Sequence, residues 1–380
     1  MIKNITFGQY TLKTPAIFAS YRLGDFPSAG LKSYPWRVTE TEALLINAFD
    51  FKRPKFQKHL ENGWSIEKYL DFPDKPVMID SGAYYFLKRP HIKVAPEEIL
   101  EIELKVKAHI GVVLDHPFLP NAPDKKQRIS TTIRNTKQML LSLSKRQSPM
   151  ELMPVVHGHT KREIRDCIRQ IQRLMSKMQI QEITRIGIGS IAPLAKQGNG
   201  KLASEVIKTV REELPNAHLH CFSMGSALSM LLAFYSGADT VDSQSWILSA
   251  AFKLAQLPGH YVVRLANREH KTESGFKTVK NAFALRIKAL HDTEGYCVKH
   301  WQTGEWVNVN CNGELNDYVD SLSDRQSNEN LHNRACHNLW TYNFEARKAR
   351  EAINKGEWGD FIRKRLLNTR YKTCVMQGNE

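Results

Sequence analysis

The sequence predicts an α/β protein, a (β/α)8 barrel with a small subdomain inserted before its last helix. Three observations predict this. Short apolar segments of strand length alternate with longer segments of helical spacing, the mark of parallel β/α units. Eight such units fill about the first 250 residues of a 380-residue chain, the size of a closed barrel. The strand candidates also end on polar residues, which a closed barrel would gather into one mouth.

The strands are expected at "TPAIFAS" (14–20), "ALLINAF" (43–49), "PVMID" (76–80), "IGVVLDH" (110–116), "LMPVVHG" (152–158), "RIGIGS" (185–190), "HLHCFSM" (218–224) and "ADTVDS" (238–243). Helices are expected at 97–108, 128–144, 160–177, 201–213 and 226–236, where Ile, Leu and Val recur at three- and four-residue spacing. An open doubly wound sheet fits the alternation nearly as well. No G-x-G-x-x-G follows the first strand, which counts against a dinucleotide-binding version of that sheet. After residue 250 the pattern changes to short β-like pieces and polar stretches, and a strongly helical segment from His337 to Leu366 follows. The domains are therefore drawn as a barrel (1–250), an inserted subdomain (251–336) and a closing helical segment (337–380).

The composition, 42% hydrophobic and 24% charged, is that of a globular protein with a substantial core. A formal charge of +15 points to a polyanionic partner, nucleic acid ahead of a membrane surface. The N-terminus has no apolar signal region, and no apolar run approaches the roughly 18 residues that span a bilayer, so a cytoplasmic protein with no membrane partner is expected. Six cysteines in a chain this long are too sparse for a disulfide scaffold and suit free thiols or a metal site.

The strand ends carry Asn47, Asp80, Asp115, His157, Ser190, Met224 with Gly225, and Asp242. Each alone has an ordinary reading, as a cap, a turn former, a core histidine or core filler. Their convergence does not. Two carboxylates in one mouth suit displacement at a sugar carbon, one attacking and the other moving protons. An aromatic and a thioether beside them suit a flat ring, and in a basic protein that ring reads as a nucleobase flipped from its stack.

The segment "MIDSGAYYF" (78–86) then resembles the D-S-G-G-[FY]-Q motif of the queuine and archaeosine tRNA-guanine transglycosylases and their DNA-modifying relatives. In the same order along the chain, "NAFDFKRP", "VVLDHP", "PVVHG", "IGIGSIA", "FSMGSALSMLLAFYSGADTVDS" and "HNLWTYNFEARKAREAINKGEWGDFI" resemble that family's further motifs. The resemblance implies a (β/α)8 barrel that exchanges guanine for a 7-deazaguanine, with no organic cofactor. It implies that Asp242 attacks the sugar C1′ and that Asp80 is the general acid/base, oriented by Asn47. Asp115 would read the guanine edge, and Tyr84 and Met224 would sandwich the ring. Ser81, His157, Gly189, Ser190 and Gly225 would complete the base pocket. Asp239 is assigned only a turn or orienting role.

The chain departs from the family pattern in places. His157 stands where the family has Gln, Ser190 where it has Gly, and Tyr85 where it has Gln. After Asp242 the chain reads "SQSWILSAAFKLAQ", with no arginine before Arg264 to grip an anticodon loop. The nearest branch is therefore expected to be the DNA-guanine transglycosylases (DpdA), which place a base such as preQ0 in DNA, with accessory DNA-modification proteins as further partners. The alternatives are a tRNA-guanine transglycosylase and a non-catalytic nucleic-acid-binding relative. Phosphate contacts are expected from the basic stretch 264–280. The family also implies a structural Zn2+. Cys297, Cys311 and His337 are the ligands offered to it, with His300 and Cys336 as further donors.

Overall fold

The computed structural model describes residues 2–24, 33–196, 198–265, 273–323 and 328–376. An antiparallel hairpin opens the chain, β1 (Asn4–Phe7) and β2 (Tyr10–Lys13). Parallel strands follow: β3 (Ala16–Tyr21), β4 (Ala43–Asn47), β5 (Val77–Asp80), β6 (Ile110–Val112), β7 (Glu151–Met153), β8 (Val155–Val156), β9 (Arg185–Ile188), β10 (His218–Cys221) and β11 (Thr240–Ser243). They pair in the order β7-β6-β5-β4-β3-β11-β10-β9-β8.

The two ends of that order are consecutive in the chain, so the sheet closes on itself. β7 and β8 are one segment interrupted at Pro154, which has no N–H to give a ladder. Before the proline the segment pairs with β6, and after it with β9, while the Pro154 carbonyl accepts from Gly187 N at 2.8 Å. Counted as one, they make eight strands and the barrel expected from the sequence.

The two-residue period of the strands sorts side chains to opposite faces. Ile17, Ala19, Leu44, Ile46, Val77 and Ile79 face outward into a core shared with the helices. Ala16, Phe18, Ala43, Leu45, Met78, Ile110, Val112, Met153 and Val155 face inward and form a separate core inside the barrel. The same alternation carries on toward the strand ends, so Asp80 follows Met78 inside and Asp242 follows Thr240. Ile5, Phe7 and Leu12 of the hairpin join the inner core and plug the end of the barrel opposite those carboxylates. Arg185 holds the plug, with its guanidinium 5.1 Å over Phe7, a bond to Thr6 O at 3.2 Å and an ion pair to Glu151 at 2.5 Å.

The helices Pro96–Lys105, Lys125–Leu143, Lys161–Lys177, Gly200–Glu213 and Ala227–Tyr235 lie close to their expected spans. The strands end earlier than expected. Residues 113–116, 157–158, 189–190 and 222–224 lie beyond β6, β8, β9 and β10, in the loops that form the mouth.

A second core gathers Ala255, Leu257, Leu265, Phe283, Tyr296, Trp301, Tyr318 and Trp340 among others. One helix, Asn328–Asn354, serves both cores. Its Ala335, Leu339, Tyr342, Ala346 and Ala349 pack on the barrel, and Cys336, Trp340 and Phe344 pack on the second core. The boundary expected at 336/337 falls inside this helix. No helix of the described residues is long and apolar enough to cross a membrane.

Candidate active site

The C-terminal ends of the strands enclose a cleft of about 380 Å³. Asn47, Asp80, Tyr84, Asp115, Gly189, Ser190, Gly225 and Asp242 line it. Tyr85, which departs from the family pattern, lines it too, as do Ser20, Asp50, Phe222, Ser223 and Leu248, which the sequence did not single out for the base.

Asp80 is the last residue of β5 and is in register with Asn47 at the end of β4. Its Oδ2 accepts from Gly82 N at 3.2 Å. Gly82 has φ +80°, and a Cβ there would meet the Phe49 ring at 2.1 Å, so only glycine lets the loop turn this closely. Burial, then the nearby charges of Asp115 and Asp242, push Asp80 up to about 8. At neutral pH this carboxyl keeps its proton. Asn47 does not bond Asp80; its Oδ1 accepts from Phe49 N at 2.8 Å and caps the turn Ala48–Lys52.

Asp242 lies near the end of β11, buried but facing the cleft. Its Oδ1 accepts from Ser223 N at 2.6 Å, and its backbone O accepts from Met224 N at 3.1 Å. Ser223 adopts a left-handed φ of +58°, which aims its N–H at the carboxylate. Among the described residues nothing bonds Oδ2, which is left to the cleft.

Asp115, in the loop after β6, rests on two side chains buried behind the cleft. Its Oδ1 lies 3.4 Å from Ser81 Oγ, and its Oδ2 lies 3.1 Å from His157 Nε2 in poor alignment for a hydrogen bond. His157 Nδ1 meets Ser190 Oγ at 2.9 Å, and that oxygen also accepts from Phe118 N at 2.9 Å. Ser190 thus has two partners while holding a left-handed φ of +59°. Gly189 is needed beside it because a Cβ there would sit 2.4 Å from the His157 ring. Ser81 and His157 contact Asp115 and do not line the cleft.

Met224 is placed elsewhere than the base face. It is 1% exposed, sits in the outer core and does not line the cleft. Two residues earlier, in the same loop after β10, Phe222 supplies the apolar side chain instead. Tyr84 and Tyr85 are each 49% exposed at the mouth, and Tyr85 also packs on Phe49 with ring centres 5.5 Å apart. Arg128, unremarked in the sequence, ties two loops together by donating to the carbonyls of Phe86, Leu87 and Pro117. Asp239 serves the plugged end, where it accepts from Leu219 N at 2.9 Å and pairs with Lys3 and Arg211.

A cleft with several carboxylates at the C-terminal mouth of a barrel fits many chemistries, and comparison with known proteins narrows them. The family model described as queuine tRNA-ribosyltransferase matches residues 2–278. The chain belongs to that family. Among similar proteins, the tRNA-guanine(15) transglycosylase of Pyrobaculum aerophilum is 29% identical over 246 residues, 63% of this chain and 46% of the relative. Those of Methanococcus aeolicus and Pyrococcus furiosus are 24% and 25% identical, covering 86% and 83% of this chain and 44% and 46% of the relative. The chain spans about half the length of the curated relatives it matches.

The zinc ligands that the queuine tRNA-ribosyltransferase resemblance offered do not fit a metal. Both ring nitrogens of His337 are spent, Nδ1 on the Tyr318 hydroxyl and Nε2 on the Gln256 carbonyl, each at 2.7 Å. Burial holds this imidazole down to about 4, so it stays neutral. Cys311 is exposed, Cys297 is half-buried, and Cys336 lies 3.5 Å from His332. Among the described residues no three His, Cys, Asp or Glu side chains converge on a metal position. The neighbouring Asn338 also has a structural task, with Oδ1 accepting from Gln256 N and Nδ2 donating to the carbonyls of Trp246 and Leu254. The basic stretch 264–280 lies partly outside the described residues, at 266–272.

Proposed function

We propose that this chain exchanges guanine in tRNA for a 7-deazaguanine base through a covalent sugar–aspartate intermediate. The observation that carries the reading is the placing of Asp80 and Asp242 in one cleft, with Asp242 Oδ1 bonded by Ser223 N and Asp80 held up to about 8 by burial, in a member of this family. Asp242 attacks C1′, the glycosidic bond breaks, and its electrons pass to the departing guanine, which takes the Asp80 proton. The Asp80 carboxylate then removes a proton from the incoming base, whose ring nitrogen attacks C1′ and displaces Asp242. Asp115, backed by Ser81 and His157, faces the cleft where a carboxylate can accept from the N1–H and 2-amino donors of guanine. Tyr84 offers one ring face and Phe222 the apolar wall. A base such as preQ0 would enter the same pocket.

The relatives' names favour tRNA over the DNA first expected from the sequence. The DNA reading rests on the segment after Asp242. It forms the helix Ser245–Ala251, carries no arginine and exposes Leu248 and Phe252. Incubation with labelled guanine or preQ0, and with tRNA or duplex DNA, decides between them. Label is expected in tRNA; label entering DNA alone would restore the first expectation. Asp242→Ala should lower incorporation by roughly a thousandfold or more with the fold intact by circular dichroism, and undiminished exchange would end the covalent mechanism.

A further inference from the structure

Beneath Asp242 the barrel holds a buried polar chain. β10 points His218 and His220 inward, and β11 points Thr240 and Asp242 inward beside them. His218 Nε2 lies 2.7 Å from Thr240 Oγ1, and the same hydroxyl lies 2.9 Å from His220 Nδ1. His220 Nε2 then lies 3.5 Å from Asp242 Oδ1. The groups facing His220 are Thr240 and Asp242 from β11, His218 from its own strand, and the rings of Phe18 from β3 and Phe222. His220 Nε2 and His218 Nδ1 are buried and have no hydrogen-bond partner.

One hydroxyl proton must serve two imidazoles, and that sets the direction of the chain. If Thr240 donates to His218, His220 Nδ1–H donates to Thr240. His220 Nε2 is then a bare lone pair against a carboxylate, and His218 Nδ1–H is an orphaned buried donor. If Thr240 donates to His220, His218 Nδ1 carries no proton, and His220 Nε2–H lies 3.5 Å from the carboxylate oxygen, which attracts it without a hydrogen bond. The His220 proton lies on Nε2, toward Asp242, and the unpartnered His218 Nδ1 is only a lone pair. Burial, His220 and the cations Arg185, Lys3 and Arg211 hold His218 well below its usual value, which keeps it neutral in this chain.

We propose that His220 is a positioning residue for Asp242, fixed as the Nε2–H tautomer by the chain His218–Thr240–His220 along the barrel interior. The proposal rests on the reading of Asp242 as nucleophile. With Ser223 N–H bonded to Oδ1 and His220 Nε2–H 3.5 Å from the same oxygen, Oδ2 is the oxygen that reaches C1′, and the two donors stabilise the carboxylate electrostatically when the incoming base displaces it.

The test is long-range 1H–15N correlation on protein with 15N-labelled histidine, with His218→Gln and His220→Gln used to assign the two rings. His220 is expected as the Nε2–H tautomer, and as a tautomer mixture in Thr240→Val. A Nδ1–H tautomer or an imidazolium would overturn the proposal. In base exchange, His220→Phe and Thr240→Val are expected to lower kcat roughly ten- to a hundredfold with KM unchanged, and His220→Gln, which keeps a donor, to lose less. Wild-type kcat in both His220→Phe and Thr240→Val would equally overturn it. A wild type that exchanges no base sinks the functional reading alone. The proposal is then decided by the tautomer and by the 13C titration of the Asp242 carboxyl, which must move in Thr240→Val.

Discussion

Asp80 and Asp242 carry the same functional group, and their surroundings give them different work. Asp80 is buried beside two carboxylates, so it holds a proton up to about 8, while an unfolded chain releases that proton near the ordinary 3.8. A folded value raised in this way contributes stability that is fully present below the ordinary range and lost as pH rises through about 8. The denaturation midpoint should therefore fall between pH 6 and 9 in the wild type, and fall less in Asp80→Asn. Equal slopes would show that Asp80 titrates as an ordinary surface acid. The rate of guanine release should decline over the same limb, because the acid that protonates the leaving base is being lost. These two carboxylates were legible in the sequence because they end apolar strands. Met224 was misleading for the same reason: a residue beyond β10 could turn either way, and its backbone N–H is held by Asp242 O while its side chain goes to the outer core.

At the scale of the element, β1 and β2 do more than precede the barrel. Phe7 is fully buried, edge-on to Phe18 at 6.1 Å and to His218 at 5.7 Å, and lies under Arg185. Phe7→Ala should cost about 3–5 kcal/mol in urea unfolding, since the plug can collapse only partly into the space left. A loss below about 1 kcal/mol would mean that the hairpin packs loosely. The sequence showed no plug, because two four-residue strands leave only a short alternation and their inward side is defined by what closes over it. Strand β7–β8 carried its own signal in Pro154, whose meaning became clear only when the segment was seen to exchange neighbours there. The inward histidines of β10 were visible as "HLHC", yet strand parity alone cannot say which face is the barrel interior.

For the whole molecule, 54 basic against 39 acidic side chains give +15, and the partner proposed is a polyanion. Binding to tRNA should weaken by roughly a thousandfold or more between about 50 and 200 mM salt if six or more phosphates are neutralised. Fluorescence anisotropy across that range measures the slope, and a flat response would remove the charge from the account of binding. Metal removal is the second prediction at this scale. With His337 bonded at both nitrogens, treatment with a chelator should leave the thermal midpoint unchanged. A fall of several degrees that Zn2+ restores would show a site built from other residues.

The sequence by itself determined the eight-unit barrel, the polar mouth and the identities of Asp80, Asp115 and Asp242, because strand period and strand endings are local properties of the chain. The family motifs in order were equally local. Only the tertiary structure decided which side chains lie behind those that face the cleft. His157 and Ser81 behind Asp115, His220 behind Asp242, and Phe222 in place of Met224 each depend on where a neighbouring strand ends and which way its next residue turns. The zinc ligands offered by the sequence find no common position among the described residues on the same ground. Residue type and spacing can offer ligands, but whether a ring nitrogen is available depends on the hydroxyl and carbonyl that other segments bring to it.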